Sequence, residues 1–304
     1  MKENAVEVEN LFKKYDSTES IALDHISISI PYGSIFGILG PNGAGKSTFI
    51  NILAGLTLKS SGNVKVCGIN IDQDPKTLKG SIGVVPQEIN MDPFFSPIEI
   101  LNIQAGFYGI KKKDMKNLEI LKELNLSDKA NAYSRSLSGG MKRRLMVAKA
   151  LVHNPRVLVL DEPTAGVDIE LRKKLWKYIK KLNSKGKTII LTTHYLQEAE
   201  NLCDSIAIIN NGKVVACEKK ENLLNLIDMK EIVIRLGKKI IRTPMNLKKF
   251  IYSISDYKVI LRYSKKKINT GEILKKISES KLEIIELSTK DSDLEEIFLK
   301  VLKS

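Results

Sequence analysis

An apolar segment at residues 34–39 runs straight into Gly40-Pro41-Asn42-Gly43-Ala44-Gly45-Lys46-Ser47, and a helical pattern covers residues 47–55. A strand, a glycine-rich turn and a helix in that order leave few folds open. Glycines let the backbone bend around an anion with no Cβ in the way, and the N–H groups at the helix start converge on it. The Gly-x-x-x-x-Gly-Lys-Ser pattern adds a lysine that reaches the β- and γ-phosphates of a nucleoside triphosphate, and a hydroxyl for Mg²⁺. Gly40, Pro41, Asn42, Gly43, Ala44, Gly45, Lys46 and Ser47 are therefore expected to cradle ATP. Thr48 assists at the α-phosphate, and Ser47 is a metal ligand.

The rest of the chain sets this loop in an α/β frame. Residues 5–11, 25–30, 64–67 and 82–85 read as strands, with Ile26, Ile28 and Ile30 alternating. Between about 93 and 154 the pattern turns helical, with helices expected over 98–108 and 114–126. Strands return at 157–160, 188–192 and 205–209. Asn210-Asn211-Gly212-Lys213 reads as a hairpin turn into Val214-Val215. From about residue 230 a smaller pattern begins, with strands at 232–236, 259–263 and 282–287. Ser292-Asp293-Leu294-Glu295 has capping-box spacing for a last helix. A nucleotide-binding domain over residues 5–229, carrying a helical subdomain at about 93–154, and an accessory domain over 230–304 are expected.

Composition narrows the setting. A net charge of +14 raises nucleic acid or an anionic membrane surface as partners. Yet Lys111-Lys112-Lys113, Lys173-Lys174 and Lys265-Lys266-Lys267 are dispersed and lack interleaved aromatics, so they read as solvated faces and no nucleic-acid partner is expected. Cys67, Cys203 and Cys217 share no metal-ligand spacing and suit a reducing compartment. Met1-Lys2-Glu3-Asn4 has no apolar core of a signal peptide. No stretch approaches the roughly 20 apolar residues of a membrane helix.

Two further motifs turn binding into chemistry. Val157-Leu158-Val159-Leu160-Asp161-Glu162 is an apolar strand ending in two acids. Asp161 is placed to hold Mg²⁺, and Glu162 to polarise the water that attacks the γ-phosphate. Leu137-Ser138-Gly139-Gly140-Met141 precedes the basic run Lys142-Arg143-Arg144, giving a second anion cradle at a helix start. One nucleotide does not need two such cradles in one chain. The second is therefore expected to cap a γ-phosphate held by another copy.

The order of the phosphate loop, Gln87, Leu137-Ser138-Gly139-Gly140, Asp161-Glu162 and His194 closely resembles the ABC-type ATPases, over about residues 5–220. The resemblance implies an α/β P-loop NTPase domain of the ABC type. Its parts would be a RecA-like core, an antiparallel β-subdomain and a helical subdomain, followed by a small C-terminal α+β extension. It implies that Tyr15 stacks on adenine and that Gln87 links Mg²⁺ and water to a transmembrane partner. Asp168, in Ala165-Gly166-Val167-Asp168, would lie at the subunit contact, and His194 would touch the γ-phosphate. Ser138, Gly139 and Gly140 would act on the nucleotide of the other subunit. His25 and His153 have no such context and read as structural.

Met141 in place of the usual Gln, and Ala165-Gly166-Val167-Asp168 in place of Ser-Ala-Leu-Asp, are typical of the ABC-2-type exporter branch, which includes drug, polysaccharide and sodium exporters. The runs at 137–145 and 161–170 resemble the YadG-type bacterial subunits, and Leu294-Glu295-Glu296-Ile297-Phe298-Leu299 resembles that branch's C-terminal extension. The implied protein is an ATP-hydrolysing subunit that dimerises head to tail with a second copy. It would serve an exporter with a separate permease subunit and stay cytoplasmic, peripheral to the inner membrane through that permease. A non-transport ABC ATPase or an ATP-dependent regulator is the alternative. Against it, the stretch between Gln87 and Ser138 has no room for a long coiled coil, and the chain carries one motif set.

Overall fold

The computed structural model describes residues 3–16, 20–226, 229–240, 244–280, 282–291 and 294–303. The chain forms two compact units, Met1–Lys220 and Glu221–Ser304.

The first unit opens with β1 (Asn4–Lys14) and β2 (Ile21–Pro31), which pair antiparallel, followed by β3 (Ile35–Leu39), all five of whose residues are buried. Helix α1 (Lys46–Leu53) follows the glycine loop; then come β4 (Ser61–Val66), β5 (Ile69–Asn70), α2 (Pro75–Ser81) and β6 (Ile82–Val85). Strands β2, β1, β4 and β5, in that order, make an antiparallel sheet. Its inward residues Val6, Val8, Ile26, Ile28, Val64 and Val66 share one apolar core with Phe49, Ile50, Ile52 and Leu53 of α1 and with Phe36, Ile38 and Val159 of the central sheet. Period-two patterning on the strands and four apolar residues on a two-turn helix thus bury α1 between two sheets. The loop at its start inherits that fixed position.

The helical stretch holds α3 (Pro97–Phe107), α4 (Asn117–Glu123) and α5 (Gly139–Leu151). Ser96 and Glu99 cap α3 reciprocally, with Pro97 as its first residue. The second expected helix is shorter than its periodicity suggested. Lys112–Asp114 forms a separate 3-10 turn, and Asn125 at φ 53° ends α4 in the left-handed region.

Strand β7 (Val157–Asp161), α6 (Ile169–Ser184), β8 (Thr188–Thr193), α7 (Leu196–Leu202), β9 (Ser205–Asn210) and β10 (Lys213–Lys219) complete the unit. The central sheet runs β10-β9-β3-β8-β7-β6, parallel except for β10, which pairs antiparallel with β9. Both faces are covered, so its strands are continuously apolar rather than alternating. Asn211 and Gly212, both at positive φ (48° and 75°), make the tight β9–β10 hairpin.

After α8 (Lys220–Leu226), the second unit pairs β11 (Met229–Leu236), β12 (Ile251–Ser255), β13 (Lys258–Ser264) and β14 (Ile284–Asp291) in the order β12-β13-β11-β14. Helix α9 (Thr270–Glu279) buries Ile273 and Ile277 against Ile232, Ile234, Val259, Leu261 and Tyr263. Helix α10 (Leu294–Lys303) is the last element among the described residues. Strand β12 was not anticipated from sequence, and the β14 region starts and ends later than expected. The capping-box residues Ser292 and Asp293 lie outside the described residues.

Candidate functional site

The carboxyl ends of β3, β8, β7 and β6 lie side by side, where open α/β sheets bind ligands. In the parallel register Leu39 pairs with Thr193, and Thr192 with Asp161. The phosphate loop, the His194 segment, the two acids and the Gln87 segment therefore leave the sheet at one edge, though they are far apart in sequence.

The loop is built for close backbone approach. A Cβ on Gly40 would meet the Ile209 carbonyl oxygen at 2.3 Å; one on Gly45, at φ +108°, would meet the Ala22 carbonyl oxygen at 2.4 Å. The loop is tied from behind: the Gly212 N–H of the β9–β10 hairpin donates to the Ala44 carbonyl at 3.0 Å. Lys46 is buried, and its Nζ donates to the Gly40 and Pro41 carbonyls at 2.8 and 3.0 Å. Burial pushes its ammonium below the usual lysine range, while the nearby Glu162 and Asp161 charges pull it back. Pro41, Asn42, Gly43 and Ser47 are exposed along the same loop. Tyr15 follows the end of β1, and its hydroxyl lies 3.4 Å from Thr48 Oγ1 on α1. The Lys13 ammonium covers one face of that ring, 4.6 Å from its centroid.

Glu162 is the most constrained residue of the edge. It is 8% exposed and sits at φ 46°, a left-handed conformation uncommon outside glycine. Its N–H donates to the Thr192 carbonyl and to Thr192 Oγ1. Its carboxylate is held from both sides: Gln87 Nε2 donates to Oε2 at 3.0 Å, and His194 Nδ1 lies 3.1 Å from Oε1. Asp161, one residue before, accepts from Thr192 Oγ1 at 2.5 Å. Gln87 and His194 are solvent-exposed, so the buried acid is tied to two polar partners that reach the surface. The strand-ending pair, Gln87 and His194 thus come together as one cluster, with Lys46 close enough to feel both charges.

Ser138 caps α5, its Oγ accepting from the Met141 N–H at 3.3 Å. Gly139 faces open space, whereas a Cβ on Gly140 would strike Leu171 Cδ1 at 2.5 Å. Leu171 belongs to α6, which Asp168 caps by accepting from the Leu171 N–H. The Ser138 and Asp168 turns are therefore neighbours, joined through Gly140.

Two residues of the basic run after this turn, Arg143 and Arg144, are turned to backbone carbonyls. Arg143 is buried, with its guanidinium spent on backbone carbonyls of Pro86, Gln87, Asp161, Glu162 and Pro163. Arg144 donates to the carbonyls of Leu124 and Asn125 at the end of α4. Both arginines satisfy backbone carbonyls at or just beyond element ends. Thr192 also escaped the sequence reading. Its one signal was a hydroxyl just after the apolar run Ile189-Ile190-Leu191 of a fully buried strand, beside that of Thr193. His25 pairs with Asp24, and His153 stacks on Tyr108 at 3.8 Å between centroids.

A family model described as ABC transporter matches residues 23–165. The Nod factor export ATP-binding protein I of Ralstonia nicotianae is 42% identical over 221 residues, covering 71% of this chain and 68% of that protein. The protein of the same name from Cupriavidus metallidurans is 40% identical over 222 residues, covering 72% and 73%. Among solved structures, an ATP-binding subunit of an ABC transporter superposes with a TM-score of 0.66 at 27% identity, over 73% of this chain and 92% of that one. A dimeric post-hydrolysis state of an ATP-binding cassette bound to ADP and Pi gives 0.63 at 31% identity, over 70% and 98%.

Proposed function

The chain belongs to the ABC transporter family as an ATP-binding subunit, and on that premise we propose that it hydrolyses ATP to power an exporter whose permease is a separate subunit. The observation that carries the reading is the clamp on Glu162, a buried-edge carboxylate fixed between Gln87 and His194 beside Lys46. An acid held in a strained backbone position and fixed by two exposed polar partners is suited to orient and polarise a water molecule.

In the reaction, water attacks the γ-phosphorus of ATP, the bond to the β–γ bridging oxygen breaks, and ADP and phosphate leave. Lys46 and the loop N–H groups of Gly40 to Ser47 hold the phosphates, with Thr48 at the helix start and Tyr15 against the base. Glu162 orients the water and draws its proton; His194 steadies both the acid and the γ-phosphate. Ser47 hydroxyl, Asp161 carboxylate and the Gln87 amide oxygen form an all-oxygen donor set that fits a hard cation. When bound there, Mg²⁺ supplies neutralising charge to the phosphates.

Ser138, Gly139 and Gly140 serve the nucleotide of a second copy, with Asp168 at the contact between copies. Each site is then completed only by dimerisation. Among the described residues no helix is long and apolar enough to cross a membrane. The subunit acts at the cytoplasmic face of the membrane through the permease, which selects the cargo. Relatives named for Nod factor export support the exporter direction.

Light scattering on Glu162→Gln tests the composite site. ATP is expected to convert it to a dimer, and Ser138→Arg in the same background to keep it monomeric. A Ser138→Arg variant that dimerises as readily would remove Ser138 from the shared site.

A further inference from the structure

We propose that Arg143 is a positioning residue for hydrolysis, tying the orientation of α5 to the placement of the Glu162 carboxylate. The inference rests on the reading of Glu162 as the water-orienting acid.

Arg143 is 3% exposed, and every one of its guanidinium N–H groups is used. Nε donates to the Pro163 carbonyl at 3.0 Å; Nη1 donates to the Pro86 and Gln87 carbonyls, both at 2.8 Å. Nη2 donates to the Asp161 carbonyl at 3.3 Å and to the Glu162 carbonyl. These acceptors fall in two segments, one leaving β6 and the other at and just beyond the end of β7. They are the same two segments that the Gln87–Glu162 side-chain bond connects.

The result is a closed ring. The Gln87 backbone accepts from Arg143 while its side chain donates to Glu162. The Glu162 backbone also accepts from Arg143 while its carboxylate accepts from Gln87. Glu162 stands at a positive φ, and its carbonyl is fixed from two sides, by the Arg143 guanidinium and by the Ala165 N–H at 3.1 Å. Arg143 lies five residues after Ser138, so about 7.5 Å of rigid helix separates the turn that faces another copy from the ring. A tilt of α5 that follows engagement of Ser138 therefore reaches Glu162 through fixed bonds. Lysine would keep the charge but offers three donors from one atom, too few and too compact to span both segments.

Steady-state ATP hydrolysis by Arg143→Lys and Arg143→Gln, each with and without Gln87→Ala, tests this, with emission from the single Trp176 reporting the fold. Arg143→Lys is expected to lower kcat by about 10–100-fold with KM for ATP within about twofold, because a displacement near 1 Å costs on that order. Adding Gln87→Ala to it should cost less than about threefold more, since both act on one ring. A kcat within twofold of wild type, or effects that multiply in full, would overturn the proposal. Loss of the native Trp176 signal in both arginine variants would overturn it too, because Arg143 would then hold the fold and not the site. A wild-type rate in Glu162→Gln, by contrast, would sink the reading of Glu162 itself.

Discussion

Replacing Thr192 with Val removes one oxygen from the centre of the site and changes little else. Thr192 is fully buried on β8, and valine keeps its volume and β-branching, so no cavity opens. The hydroxyl donates to Asp161 Oδ1 at 2.5 Å and accepts from the Glu162 N–H at 3.0 Å. The first is a bond to a charged group, and losing it costs about 1.5–3 kcal/mol. The second loss is milder, because the same N–H also donates to the Thr192 carbonyl at 3.2 Å; about 0.5–1 kcal/mol is reasonable. The sum, about 2–4 kcal/mol, should move a urea midpoint down by roughly 1–2 M for an m-value near 2 kcal/mol/M. Trp176, the single tryptophan, lies on α6 in the first unit and bonds Glu198 at 2.9 Å, so its emission follows that unit alone. Turnover should fall as well, since Asp161 and the Glu162 backbone lose a shared anchor. A loss of less than about 0.5 kcal/mol would refute the claim that this hydroxyl braces both acids.

Gly45→Ala is expected to abolish measurable ATP binding in an equilibrium titration. Its Cβ would meet a backbone oxygen at 2.4 Å and Leu23 Cδ2 at 2.8 Å, on top of about 1–2 kcal/mol for the left-handed backbone. The first unit should also lose stability below about pH 6.5. Burial holds the His153 imidazole below the usual range, so as pH falls through that value the unfolded chain takes up a proton that the folded chain resists. His153 Nε2 lies 3.0 Å from the Ile82 carbonyl and its buried Nδ1 has no partner, so protonation leaves an unpaired N–H. His153→Gln should flatten the stability profile between about pH 7 and 5, measured by urea unfolding; an unchanged slope would exclude His153 as its source.

The legible parts of the molecule were those whose chemistry is local. The phosphate loop is eight consecutive residues whose glycine positions are dictated by backbone bends, and Asn211-Gly212 dictates its own hairpin. The strand ending in Asp161-Glu162 was visible because burial on both faces leaves an apolar run. Arg143 was illegible for the converse reason. A basic run after a glycine turn reads as part of an anion cradle, and the five carbonyls that bury Arg143 come from residues 86–87 and 161–163, which only the folded β6 and β7 bring together. Thr192 owes its role to a register opposite Asp161 that no local pattern encodes. Helix α6 was left unassigned in sequence because its lysine-rich face outweighs the narrow stripe of Leu175, Tyr178, Ile179 and Leu182 that it buries.

The most direct test of the central claim is steady-state ATP hydrolysis by wild type and Glu162→Gln, measured beside equilibrium nucleotide binding. Wild type should turn over, while Glu162→Gln should bind ATP as tightly and hydrolyse it about 10²–10⁴-fold more slowly, the span expected for removing a positioned general base. Equal rates in the two proteins would contradict the account.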